Sequence, residues 1–288
     1  MPHGDHMREK NPHGRLPVVA TGLLALILTA CTPEKGEPTP HTGKAADKTD
    51  TVAEQAAPAP SAKPAQAREV EEKTDDYTFR FSYPAAAAQI PALKAELDTE
   101  LEKSRGDLIN DTAQFRKEAA QEGFPFRPYD QVTEWAVVTD LPDWLSLSME
   151  VYAYTGGAHG NTGYGGLLWD KKANVRREAL SLFSSAPALE KAVQPALCDA
   201  LDRERSKRRE EKVVRNQDDW MTACIGLKET QVILGSAGRK AFDRIGFLIG
   251  PYAAGPYAEG SYEITLPVTP AILATVKPEY KGSFAIGR

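Results

Sequence analysis

Histidine and cysteine supply most of the side chains that hold metals or attack carbonyl carbons, and this 288-residue sequence contains few of either. Its five histidines are His3, His6, His13, His41 and His159. Only His159 lies in the body of the chain, so a zinc site built from several histidines of one chain is excluded. A Ser-His-Asp triad would have to use His159, and no GxSxG elbow precedes it. The three cysteines are Cys31, Cys198 and Cys224. Carboxylates alone can cleave glycosidic bonds, and Glu150, Asp170 and Glu263 fall in strand-like sequence, though spacing singles none of them out. No glycine loop of P-loop or dinucleotide type occurs. The sequence predicts no catalytic set, no metal and no cofactor.

Two glycine-hinged clusters offer recognition chemistry instead. In TGGAHGNTGYGG, His159 is surrounded by Gly156, Gly157 and Gly160 and followed by Asn161. Glycine permits positive φ and close backbone approach, and Asn tolerates the left-handed region. The histidine there either holds a strand corner through backbone carbonyls or faces a partner. In GPYAAGPYAEG, two Pro-Tyr pairs, Pro251-Tyr252 and Pro256-Tyr257, stand on one loop. Proline stiffens the loop, and tyrosine offers a flat face with a hydroxyl, a combination suited to binding. The plainer alternative is that both tyrosines pack on the sheet.

The elements that must position these residues begin with a targeting segment. Arg8, Lys10 and Arg15 precede an uncharged run, Leu16 to Leu28, which is short for a bilayer span and fits a signal-peptide core. It ends in Leu28-Thr29-Ala30-Cys31, matching the lipobox of bacterial lipoproteins. Residues 1–30 are therefore expected to be cleaved and Cys31 to carry lipid, anchoring the chain to a membrane. Residue 32 is Thr rather than Asp, which favours the outer membrane of a Gram-negative cell, with the chain facing the periplasm. Residues 31–75, rich in Pro and Ala, are expected to form a disordered lipidated tether, because they hold too little apolar surface to fold. Export to an oxidising compartment favours a Cys198–Cys224 disulfide, worth about 3 kcal/mol by loop closure, with two buried thiols as the alternative. The formal net charge is −5, and no basic stripe marks a nucleic-acid interface.

From Tyr77 onward the periodicity predicts structure. Tyr77, Phe79, Phe81 and Tyr83 alternate at strand period. Leu93, Leu97, Leu101, Leu108 and Phe115 predict a helix over 91–122. Strands are expected over 131–140, 144–154 and 167–170. A second helix should start at Ser184 or Ser185, with a stripe of Leu189, Val193, Leu197, Cys198 and Leu201. The charged run beyond it, DRERSKRREEK, reads as a solvated face. Strands over 229–234, 241–249 and 262–266 and a short helix over 270–276 complete an α+β pattern without regular βαβ alternation.

The two clusters also carry a resemblance. YAYTGGAHGNTGYGGLLW (152–169) with Leu180 to Phe183, and FLIGPYAAGPYAEG (247–260) with its following TLPVT, resemble the C-terminal domain of the RsiV anti-sigma factors. The same arrangement is similar to the accessory domain of PdaC-type polysaccharide deacetylases. The resemblance spans about residues 75–280. It implies an extracytoplasmic α+β unit of two sub-domains, one deacetylase-accessory-like (76–165) and one RsiV-like (166–288). RsiV-type domains bind lysozyme, so the implied partner is a lysozyme-like muramidase or peptidoglycan. The implied contacts are Pro251, Tyr252, Pro256 and Tyr257; Gly156, Gly157, His159 and Asn161 of the other cluster are further binding candidates. The sequence lacks the deacetylase domain and the sigma-binding segment of those relatives. The expectation is a non-catalytic binding lipoprotein. The alternatives are an envelope scaffold and a carboxylate enzyme acting on peptidoglycan.

Overall fold

The structure is a computed structural model that describes residues 66–288. Cys31, the segment read as a signal peptide and most of the expected tether lie outside the described residues. The folded unit is α+β, with a six-stranded sheet, a three-stranded sheet and two long helices.

The larger sheet has the order β1 (Arg68–Lys73), β2 (Tyr77–Tyr83), β3 (Tyr129–Asp140), β4 (Trp144–Tyr154), β5 (Asn161–Asp170) and β6 (Val175–Arg177). All neighbours are antiparallel except β2 and β3. That parallel pair requires a crossover, supplied by a four-residue helix α1 (Ala85–Ala88) and the long helix α2 (Pro91–Glu122). One βαβ unit therefore sits inside a pattern that lacks regular alternation. The apolar stripe of α2 (Leu93, Leu97, Leu101, Leu108) is buried against Phe79, Phe81, Leu145, Leu147, Leu167 and Trp169.

The smaller sheet has the order β7 (Gln231–Gly235), β8 (Arg244–Ile249) and β9 (Tyr262–Pro267). One face of it packs on α3 (Ala186–Arg209) through Val232, Leu234, Phe247, Ile264 and the predicted stripe Leu189, Val193, Leu197 and Leu201. Its other face turns toward β3–β5, and a Cβ on Gly166 of β5 would sit 2.7 Å from the Gln231 side chain. Ser185 caps α3 by accepting from the Ala188 amide. A short helix α4 (Pro270–Thr275), capped by Thr269, also packs on α3.

Two expected boundaries differ from the structure. The tether was expected to reach residue 75, yet Arg68–Lys73 is a strand paired with β2. An edge strand needs little apolar surface, and Val70 with the ion-paired Glu72 suffices. The division between sub-domains at 165/166 cuts through β5, and the large sheet continues to Arg177. The glycines at 163, 165 and 166 belong to β5 rather than to a corner, because side chains from β4 and β7 occupy the space a Cβ would need.

Candidate aromatic recognition site

The two glycine-hinged clusters meet in space. The β4–β5 connection carries His159, and the loop from β8 to β9 carries Tyr252 and Tyr257. The His159 ring stacks on Tyr257 with centroids 3.9 Å apart and planes inclined by 22°. Tyr252 lies 5.4 Å from Tyr257 and 6.3 Å from His159, with its plane within about 30° of both. The carbonyl of Gly160 receives the Tyr257 hydroxyl at 2.9 Å and lies 2.8 Å from His159 Nδ1. A carbonyl only accepts, so Nδ1 carries the proton, and Nε2 accepts from the Tyr252 hydroxyl at 3.3 Å. Both imidazole nitrogens are thus occupied. This suits a fixed ring in a recognition surface better than a base waiting for a substrate proton.

Local sequence explains why these rings converge. A Cβ on Gly160 would lie 2.3 Å from the Tyr152 ring, so only glycine lets the chain pass close enough to present its carbonyl. Gly156 turns the corner at φ +82°, and Gly157 accepts from the Tyr154 hydroxyl and from Arg127 at 3.0 and 3.1 Å. Asn161 is exposed at the start of β5. Pro251 and Pro256 are partly buried and stiffen the loop, with Pro256 starting a short 3-10 turn over Tyr257–Glu259. Tyr252 is 50% exposed and has φ +69°, a conformation that bulky residues rarely adopt. The strained backbone displays the aromatic ring to solvent.

The Pro-Tyr loop is clamped from beneath by the end of α3, and the sequence reading missed this. Arg205 is fully buried. Its Nε donates to the Ala254 carbonyl at 2.8 Å, and its Nη1 donates to the carbonyls of Thr222 and Ala223 at 3.2 and 3.0 Å. Burial holds the Arg205 pKa below its ordinary value, against the pull of Asp202. Arg209 binds Glu259 through two hydrogen bonds, 2.7 and 3.0 Å long, and also holds the Met221 carbonyl. Tyr262 donates to the same carboxylate. Burial and that bond push the Tyr262 pKa up to about 12. Burial alone would raise Glu259, yet the hydrogen bonds from Arg209 and Tyr262 outweigh it and hold the carboxyl below the usual range. Arg208 lies 3.9 Å over the Tyr262 ring. The run expected to be a solvated face is therefore in part a buried clamp. The signal was present, because Arg205 and Arg209 continue the four-residue spacing of Leu189, Val193, Leu197 and Leu201.

Cys198 and Cys224 form the expected disulfide, with Cα atoms 5.3 Å apart, tying α3 to the irregular segment before β7. The three carboxylates behave differently from one another. Asp170 is buried, pairs with Arg177 at 2.9 Å and caps the turn at Ala173, so its role is structural. Glu150 and Glu263 do converge, together with Glu134 and Tyr164, on a groove of about 360 Å³ between the two sheets. Among the described residues, no group of three or more His, Cys, Asp and Glu is arranged to hold a metal. No helix of the described residues is long and apolar enough to cross a membrane.

Residues 70–162, from β1 to the start of β5, match the family model described as Deacetylase PdaC. This is the part whose sequence resembles the deacetylase accessory domain, and it contains His159. No curated protein matches the chain. Two crystal structures of DUF3298 family proteins are similar. The one from Bacteroides fragilis has 18% identity over 76% of this chain and 95% of that one, with a TM-score of 0.44. The one from Pseudomonas aeruginosa PAO1 has 16% identity over 78% and 99%, with a TM-score of 0.45.

Proposed function

We propose that this chain is a non-catalytic recognition module of the cell envelope, held on a lipid at Cys31, whose His159–Tyr252–Tyr257 cluster binds a cell-wall-related partner. The observation that carries this reading is the meeting of two distant motifs in one set of rings, His159 and Tyr252 exposed and Tyr257 partly buried, with Tyr252 displayed at a conformational cost. The PdaC match supports a cell-wall setting. The resemblance to RsiV domains supports a lysozyme-like muramidase as the partner, and peptidoglycan itself is the other candidate. The test is calorimetry at physiological salt with a c-type lysozyme and, separately, with soluble peptidoglycan fragments. Micromolar or tighter binding to one of them, weakened at least tenfold (about 1.4 kcal/mol) by Tyr252→Ala, is expected. Absence of binding to both overturns the proposal.

One observation favours a second reading, a carboxylate enzyme acting on peptidoglycan. Glu134, Glu150 and Glu263 share the inter-sheet groove with Tyr164, whose pKa is raised by burial first and also by the Glu150 and Glu263 charges. Peptidoglycan turnover that is lost in both Glu150→Gln and Glu263→Gln would establish it. Turnover indifferent to both would remove it.

A further inference from the structure

The clamp under the Pro-Tyr loop ends at the disulfide. Arg205 grips the loop by the Ala254 carbonyl and is itself held by the carbonyls of Thr222 and Ala223. Arg209 repeats the arrangement, joining Glu259 of the loop to the Met221 carbonyl. Residues 221–223 directly precede Cys224, and the Cys224 sulfur bonds to Cys198 on α3. Besides the bridge, the stretch is held to α3 by Arg215, which pairs with Asp199 and Asp202, and by the Val213 amide on Ser206, while Ile225 is buried in the core. Val213–Ile225 contains no strand or helix, and Val214, Trp220 and Met221 are exposed. The disulfide borders an open groove of about 790 Å³, and Cys224 is partly exposed where Cys198 is buried.

We infer that the Cys198–Cys224 bridge is a redox latch on the aromatic platform: closed, it holds Tyr252 and Tyr257 in place, and opened by a dithiol reductant it releases them. In the opening step a thiolate of the reductant attacks Cys224 Sγ from the groove. The S–S bond breaks, and its electron pair leaves on Cys198 Sγ, which then takes a proton. The second thiol of the reductant attacks the mixed disulfide and frees Cys224 as a thiol. The dithiol departs as a disulfide, so two electrons and two protons have passed to the protein. Residues 221–223 then lose their covalent anchor. Arg205 is a fully buried cation held by Asp202, the Ala254 carbonyl and the carbonyls of Thr222 and Ala223, and losing the last two leaves it under-compensated, which favours its withdrawal. When Arg205 leaves, Ala254 loses its donor and the loop loses its floor. The latch matters to binding only if the platform is the binding site, but its opening can be measured without any ligand.

The experiment is amide hydrogen exchange on the oxidised protein and on the same protein reduced with dithiothreitol, followed peptide by peptide at neutral pH. Reduction should speed exchange over Tyr252–Gly260 by on the order of tenfold or more beyond any change in β2, β4 and α2. Arg205→Met should speed the same loop with the disulfide intact. Unchanged loop exchange after verified reduction overturns the latch. So does an equal loss of protection over the loop and the rest of the domain, which would make the bridge a global staple alone. A failure to bind lysozyme or peptidoglycan would overturn the proposed function and leave this measurement as it stands.

Discussion

Tyr252 separates stability from recognition at the scale of one residue. Its left-handed backbone costs about 1–2 kcal/mol relative to an ordinary conformation, and its ring contacts with His159 and Tyr257 return about 0.5–1.5 kcal/mol. Tyr252→Gly removes both, because glycine adopts positive φ freely. The expected outcome is a melting temperature within a few degrees of the parent and a loss of partner affinity of at least tenfold. A melt and a titration on the same sample measure it. A variant that unfolds would show Tyr252 to be a packing residue. The sequence displayed this residue's type and its proline neighbour, but not its partner. His159 lies 93 positions away, and only the register of β4 with β5 and the packing of the second sheet bring the two rings together.

At the scale of elements, periodicity carried most of the fold, and the exceptions share one cause. Helix α2 and strands β2 and β4 have the bounds their apolar spacing predicts, since each buries one face on one core. Strand β1 and the end of α3 were hidden because charged residues do the packing there. Glu72 takes hydrogen bonds from Tyr77 and Arg105 at 2.5 and 2.6 Å, and Arg205 and Arg209 extend an apolar stripe with guanidinium groups. Charge in a sequence reads as solvation unless its partner is known, and these partners are distant. The Arg209–Glu259 pair makes a testable prediction. Glu259 has a depressed pKa in the folded state, so its contribution is present above the ordinary value of 4.5 and is lost as pH falls through the lower folded value. Stability is expected to hold level from pH 7 to about 5 and to fall below about 4.5 as this carboxylate takes a proton. Glu259→Gln should cost roughly 2 kcal/mol at pH 7 and flatten part of the acid limb. An acid limb identical to that of the parent would show the pair to be unimportant.

For the whole molecule, the decisive question is where the domain begins. Composition places the start at Tyr77, because residues 66–75 contain one Val and many charges. The sheet places it at Arg68, because β1 covers the edge of β2 and no other strand of the described residues does. Strand β2 has Phe79, Phe81 and Tyr83 almost fully buried beneath α2. An uncovered edge on such a strand is a template for pairing with another copy. Deleting residues 66–75 removes the ladder to β2, the packing of Val70 and the Glu72 bonds to Tyr77 and Arg105. The expected cost is roughly 2 kcal/mol, about half from burial and half from hydrogen bonds. That corresponds to a melting temperature several degrees lower, together with concentration-dependent association. Light scattering and thermal melts on chains beginning at 66 and at 76 would decide it. Equal stability and equal monomer content would mean that β1 is an ornament on the sheet. Lower stability would place the last residues of the expected tether inside the domain, and any tether would then have to end before Arg68.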